Sequence, residues 1–306
     1  MNNNQNYTND LETNDGLDMM EIIDTLWNQK MLIIKMTACT AVLSVIFSLT
    51  LTNYYESESL LVAADSQDTG GVSQLAGLAS IAGIGINGSG DSVIEIIELI
   101  RSREFVKHLI SFDGVLAGIM ASESYNAGTQ ELFLKDSYNP ETKKWKSKPS
   151  YLQAHKKYRD KILEITQSKR TGVVSIKIEH ISPIFAKDLL ELIIKEANSL
   201  KRKRDLEVSS EALSFLKQEL SKTALVEIRE SINALIEAQL ERQMMAKINE
   251  DYVLIEIEPP YIPDRKSRPH RAQICILGTL LGGILSVIVV LIRHFFFGKD
   301  SLKGIA

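Results

Sequence analysis

The chain has 306 residues, 44% of them hydrophobic and 24% charged, an average that looks like a soluble protein. A formal net charge of −4 supplies no basic field, so composition offers no argument for a nucleic-acid partner. Its two cysteines, Cys39 and Cys275, both fall in apolar runs near the ends, so the long stretch between carries no disulfide framework and depends on packing alone.

The average hides where the apolar residues sit. Met31 to Leu51, "MLIIKMTACTAVLSVIFSLTL", holds Lys35 as its only charge, and Ala272 to Ile292 holds none. Each runs to about 21 residues, enough at about 1.5 Å per residue to cross a hydrocarbon core of about 30 Å. The first is too long for a signal peptide, and no small-residue cleavage site closes it. Two transmembrane helices are expected, at 31–51 and 272–292, with 1–30 and 293–306 on one side and one large loop, 52–271, on the other. Lys30, Arg293, Lys299 and Lys303 balance Arg265, Lys266, Arg268 and Arg271 across the bilayer. The charge tally is therefore even. Long loops translocate largely regardless of charge, which favours cytoplasmic termini and an external main domain.

In chain order, residues 1–16 form an Asn-rich acidic tail. "LDMMEIIDTLWNQK" then sets Met20, Ile23 and Trp27 on one side of an amphipathic helix, while Asp18, Glu21 and Asp24 give it an acidic face unlike a basic membrane-surface anchor. "YYESESLLVAA" alternates as a strand. From Gly70 to Gly90 runs a Gly-rich passage with a literal G-x-G-x-x-G at Gly83, Gly85 and Gly88. A dinucleotide fingerprint needs a β-branched strand ahead of it, and "LAGLASIA" is built of small residues, so the passage reads as a close-packing loop. Ser92 and Glu95 form a capping box opening the helix "SVIEIIELIRSREFVKHLI". "SYNPETKKWKSKPS" reads as a basic loop, "YLQAHKKYRDKILEIT" as a helix, and "GVVSIKIEH" as a strand with Val174, Ile176 and Ile178 alternating. Ser182–Pro183 then starts the next helix.

From Ile184 to Glu250 there is no Gly and no Pro. A continuous helix over about 67 residues would be about 100 Å long, far beyond the usual length in a globular domain. Leu213, Leu216, Leu220, Ile228, Ile232 and Leu235 keep one face apolar without holding a strict heptad, which argues against a simple two-stranded coiled coil. Such a rod must stand out from its domain and pack along other helices. "DYVLIEIEPP" closes the domain as a strand. The chain leaves the first span as a strand and returns to the second as one, so the sheet forms a base and the helix projects from it.

The residues show no catalytic constellation. His108, His155, His180, His270 and His294 lack metal-ligand spacing, and neither a phosphate loop nor a G-x-S-x-G elbow occurs. No catalytic residue, cofactor or metal ligand is expected. The basic run Lys201, Arg202, Lys203 and Arg204 is either a solvated face of the rod or a contact for an anionic glycan or lipid phosphate. Gly278 and Gly282, with Gly283 adjoining, make a G-x-x-x-G in the second span, a spacing that permits close helix approach in a bilayer. Four of the seven prolines, Pro259, Pro260, Pro263 and Pro269, cluster just before that span. Proline fixes φ and cannot continue a central strand, so they are expected to hold an extended strut between sheet and bilayer.

Taken together, "IIDTLWNQK", "LASIAGIGINGSG" with "IELIRSREFVKHLI", "YNPETKKW", "TGVVSIKIEHISPIFAKDLLELII", "SFLKQELSKTALVEIRESINALIEAQ" and "YVLIEIEPPYIPDRKSRPHR" resemble the Wzz-type chain-length determinants, class 1 polysaccharide co-polymerases of Gram-negative bacteria. The resemblance covers nearly the whole chain and includes the Pro-rich passage at Pro260, Pro263 and Pro269 and its spacing to Gly278 and Gly282. It implies a two-span inner-membrane protein with a periplasmic α/β base and a protruding helical rod, assembled as a homo-oligomer. The implied role is non-enzymatic: setting the length of lipopolysaccharide O-antigen with the O-antigen polymerase, on the growing undecaprenyl-linked O-polysaccharide, in contact with membrane lipid. Class 2 relatives carry a cytoplasmic kinase, and no room for one is expected after Ala306. The alternative within this architecture is a co-polymerase or export component for capsule, exopolysaccharide or an enterobacterial-antigen-like polymer. A glycan-modifying enzyme would need converging carboxylates, and a signalling receptor a cytoplasmic output domain.

Overall fold

Alternating strands and one charge-free apolar run, as the sequence sets them out, end up in separate bodies. The computed structural model describes residues 19–64, 89–249 and 251–297, and the chain divides into two units, Met1–Leu51 with Pro269–Ala306, and Thr52–Arg268. The N-terminal tail, the Gly83–Gly85–Gly88 motif and the last nine residues lie outside the described residues.

The first unit begins with helix α1 (Met19–Asn28), followed after Gln29 by α2 (Lys30–Thr50). The ladder is interrupted at Gln29 (φ −103°, ψ 17°), whose N–H closes α1 on Thr25 C=O at 3.1 Å and whose C=O accepts the Ile33 N–H at 3.2 Å to open α2.

The second unit is built on a four-stranded antiparallel sheet. Its strands are β1 (Tyr55–Ala63), β6 (Leu163–Gln167), β7 (Val174–His180) and β8 (Leu254–Glu258), in the order β6-β7-β1-β8. Period-two alternation decides its faces. Val174, Ile176, Ile178 and His180 of β7 are buried, while Ser175, Lys177 and Glu179 point the other way. The β6–β7 turn closes with Gly172 at φ 71°, a left-handed position that favours glycine.

Between β1 and β6 the chain forms α3 (Ser89–Arg101), α4 (Arg103–Leu109), α5 (Val115–Ala121), two small hairpins and α6 (Tyr151–Lys157). The hairpins pair β2 (Ser122–Asn126) with β3 (Glu131–Leu134), and β4 (Tyr138–Asn139) with β5 (Lys144–Trp145). Helix α7 (Pro183–Lys222) starts at the expected place. Ser182 Oγ accepts the Phe185 N–H at 3.3 Å, and Pro183 occupies the first turn, where its missing N–H costs nothing. Leu189, Leu190, Ile193 and Ile194 of α7 pack with Ile96, Ile100, Phe105, Leu109, Ile119 and Tyr158 into one core with the inner face of the sheet. Full burial of each such side chain is worth about 1.5–3 kcal/mol.

Several expectations are corrected. Helix α3 begins at Ser89, so Ser92 lies inside it and is no cap, and the helix breaks at Ser102, which caps α4 by accepting the Phe105 N–H at 3.1 Å. The stretch "YLQAHKKYRDKILEIT" is helical only to Lys157; a π-turn (Tyr158–Ile162) leads into strand β6. "SYNPETKKWKSKPS" contains the β4–β5 hairpin.

The largest difference concerns the rod. A long helix is present, since α7 runs for 40 residues, about 60 Å. It does not continue to Glu250. Thr223 and Leu225 are extended (ψ 122° and 124°), and α8 (Val226–Ile248) returns beside the outer half of α7. The cause is topological. β7 precedes α7 and β8 follows α8, and both lie in one sheet, which a straight rod of about 100 Å could not allow. Asn198, 2% exposed, fixes the return: its Oδ1 accepts the N–H groups of Val253 (3.1 Å) and Leu254 (3.0 Å), and its Nδ2 donates to Leu254 C=O (2.9 Å).

The chain re-enters the first unit as α9 (Arg271–Phe297). Thr37 lies opposite Ser286 (Oγ1 to Oγ, 3.4 Å), and Ser44 Oγ donates to Ile274 C=O at 3.1 Å, so α2 and α9 run antiparallel. Lys30–Thr50 and Arg271–Arg293 are each long and apolar enough to cross a membrane.

Candidate functional site

Three regions hold the residues singled out by sequence. The first is the Pro-rich return, residues 259–268. Pro259, Pro260 and Pro263 have no N–H to offer a ladder, so the β1–β8 pairing stops at Glu258. Hydroxyls on β1 take over. Ser59 Oγ donates to Glu258 C=O and Ser57 Oγ to Tyr261 C=O, both at 2.7 Å, and both serines are 0% exposed. Further on, Ser267 N–H donates to Tyr54 C=O (2.8 Å) and Tyr54 N–H to Arg268 C=O (2.9 Å). The Pro-rich return thus lies along β1 from Leu60 back to Tyr54, with Pro263 buried, Pro259 exposed and Pro260 half-buried. Pro269 falls in the other unit and is half-buried. The serines were missed by reading the prolines alone. Their signal was "ESES": two polar residues in inward positions of an alternating strand, where a partner is obligatory.

Arg268 also reaches the polar face of the sheet, its guanidinium 2.8 Å from Glu179. There Lys177 Nζ lies 2.9 Å from Glu56 and 3.6 Å from Glu58, and Ser175 Oγ donates to Glu58 at 2.7 Å. Burial raises the Glu179 pKa against the opposing pull of Arg268, with Glu56 and Glu164 adding to the rise. The hydrogen bond to Glu56 raises that of Lys177.

The second region is the α2–α9 contact. A β-carbon at Gly278 would overlap the Ser44 side chain, and one at Gly282 would overlap Thr40; at Gly283 the nearest atom, Thr37 Cγ2, would be 4.0 Å away. Gly278 and Gly282 therefore sit where the helices come closest, and Gly283 does not.

The third is an open groove of about 830 Å³ between α3, α4 and α7. Lys201, Lys203 and Arg204 line it, with Arg103, Leu99 and Phe105. The basic run divides. Lys201, with its side chain 12% exposed, is held 2.9 Å from both Glu95 and Asp205 and serves the fold. Arg204 is 69% exposed and only loosely paired with Glu95 (3.8 Å), and Lys203 is exposed. Arg202 is half-buried and is not among the groove residues.

One serine–histidine pair looks superficially chemical. His180 Nδ1 accepts the Ser182 N–H (3.1 Å), which leaves the proton on Nε2, facing Gly118 C=O (3.0 Å) and Ser122 Oγ (2.9 Å). Ser122 Oγ itself donates to Gly118 C=O. A histidine whose free nitrogen is a donor cannot take a proton from that serine. Burial holds its pKa down to about 4, and the pair joins α5 to the end of β7.

The geometry defines a class: an α+β domain carrying a helical hairpin, inserted in sequence between two antiparallel apolar helices. Residues 15–112 match the family described as Wzz, chain length determinant protein. That match lies in the N-terminal third of the chain and takes in the first apolar helix, strand β1 and helices α3 and α4. Among solved structures it is similar to a full-length bacterial polysaccharide co-polymerase at 14% identity and a TM-score of 0.39, covering 94% of this chain and 99% of that one. It is also similar to a fragment of WzzB, a polysaccharide co-polymerase from Salmonella Typhimurium, at 12% identity and a TM-score of 0.29, covering 71% and 100% respectively. No curated protein sequence matches.

Proposed function

We propose that this chain sets the length of lipopolysaccharide O-antigen. It does so as a homo-oligomeric inner-membrane scaffold acting with the O-antigen polymerase on the growing undecaprenyl-linked O-polysaccharide. The match of residues 15–112 to the chain length determinants carries this reading. Two helices able to span a bilayer, packed antiparallel, support it. In this reading residues 52–271 are periplasmic, 1–30 and 293–306 are cytoplasmic, and the exposed Lys203 and Arg204 are the glycan or lipid-phosphate contacts of the basic run. The scaffold acts by holding its spans in a fixed relation, with Gly278 and Gly282 permitting the close pair.

The test compares lipopolysaccharide ladders from a deletion strain complemented with the native chain or with Gly278→Leu/Gly282→Leu, alongside immunoblots. The native chain is expected to impose a modal length. The double variant, with bulk forced against Thr40 and Ser44, should give short or random lengths at undiminished total polymer. If deletion leaves O-antigen length unchanged but alters capsule or exopolysaccharide, the O-antigen assignment fails. If the double variant abolishes polymer altogether, the scaffold role fails.

A further inference from the structure

The exposed apolar stripe of α2 does not stop where the apolar run begins. Leu49, Val45, Val42, Ile34 and Met31 are 45–67% exposed, and just past the break at Gln29 the exposed apolar surface continues with Trp27, 70% exposed on α1. The opposite face, with Thr37, Thr40 and Ser44, is the one turned to α9. Lys30 points its side chain outward along the helix, its Nζ 5.0 Å from the centre of the Trp27 ring. The antiparallel register that sets Thr37 opposite Ser286 and Thr40 opposite Gly282 also brings Lys30 level with Arg293, and Trp27 level with positions 295–297, all phenylalanine.

Distances along the helix fix what lies at that level. If Met31 to Leu51 fills a hydrocarbon core of about 30 Å, Trp27, four residues earlier and past the break at Gln29, stands at most about 6 Å farther out, within a headgroup layer of about 5–7 Å per side. An indole has an apolar ring and one N–H, and settles where one side is greasy and the other wet. An ammonium on a long stem reaches the same level from below. A water-facing lead-in would have no use for a 70%-exposed indole in line with the lipid face.

We propose that Trp27, with Lys30 stacked on its ring, docks into the phospholipid headgroup layer, so that bilayer contact begins on α1 and not at Met31. This rests on reading α2 and α9 as membrane spans. It also revises the expectation that its acidic face sets α1 apart from a membrane-surface anchor.

The test uses the full chain carrying Trp145→Phe, which leaves Trp27 as the sole tryptophan, in phosphatidylcholine vesicles. Trp27 should emit to the blue of tryptophan in water. Lipids brominated near the headgroup should remove about half its emission, and lipids brominated deep in the chain should remove clearly less. Aqueous iodide quenching without bromolipid quenching would overturn the proposal, as would protection from both, which would mean a protein contact. An alkaline wash separates the layers of the argument. Protein released from the vesicles would sink the membrane reading and the proposal together. Protein retained, with Trp27 open to iodide, would sink the proposal alone.

Discussion

Within the second unit, the base and the helical hairpin use similar apolar residues to different effect. In the base, Ile96, Ile100, Leu109, Ile176, Ile178, Leu190 and Ile193 have 0% exposure, enclosed between the helices and one sheet face. In the outer half of α7 and in α8, only Leu213, Ile232 and Ala246 are buried apolar residues, while Phe215, Val226, Met244 and Ile248 are 56–76% exposed. Two helices side by side can enclose only the few side chains along their seam. The described part of the base encloses its apolar side chains, whereas the hairpin leaves several large ones exposed.

The largest effect should come from breaking the base. Leu190→Ala removes a fully buried side chain from a dense core and should cost about 2–5 kcal/mol. Phe215→Ala, at 60% exposure, should cost less than about 0.5 kcal/mol in the isolated subunit. Urea unfolding of the detergent-solubilised chain, followed by Trp145 packed against the core, measures both. Equal costs would mean that base and hairpin are not distinct in this way.

Acid should also act on the base and spare the hairpin. His180 titrates at about 4 in the fold and near 6.5 when unfolded, so between those values the unfolded chain binds more protons. Its contribution is therefore full above pH 6.5 and is lost as pH falls towards 4, by about 3 kcal/mol. Glu179 and Glu256, both raised by burial, act the other way, because their protonation favours the fold as pH falls. The useful quantity is thus the difference between the native chain and His180→Gln. Stability curves of the two that stay parallel between pH 6.5 and 4 would remove His180 from the account.

The contrast also explains what the sequence disclosed. Base strands were legible because burial on one face enforces alternation, as in Val174, Ile176 and Ile178, and the start of α7 was legible from Ser182–Pro183. The turn at 223–225 was not. "KTALV" contains neither Gly nor Pro, and the chain bends there because β8 must return to its sheet, a constraint that no local window contains. The strand character of "LEITQ" was hidden locally, because it follows directly on a helix and a π-turn before pairing with the next strand, β7. Of the candidate sites, the Gly278/Gly282 spacing and the proline cluster are local patterns, visible in the sequence without their partners. The serines opposite the prolines could not, since their partners lie about 200 residues away.

The Pro-rich return is the intermediate case, and it sharpens the comparison most finely. It is irregular like a loop, yet it lies against β1 and is held by two β1 hydroxyls that donate to its carbonyls. If it belongs energetically to the base, Ser57→Ala and Ser59→Ala should each cost about 1 kcal/mol, by leaving the carbonyls of Tyr261 and Glu258 without their donors. The effect should also be local. Hydrogen exchange at the amides of Tyr261, Ile262 and Ser267 should speed up in the double variant, while Ile176 and Ile178 in the sheet interior keep their protection. Exchange that is already fast in the native chain and unchanged by the substitutions would show the return to be a tether, with its stiffness coming from proline alone. Exchange that quickens across the whole sheet would instead mean that the two serines support β1 itself, and that the boundary between base and return does not exist.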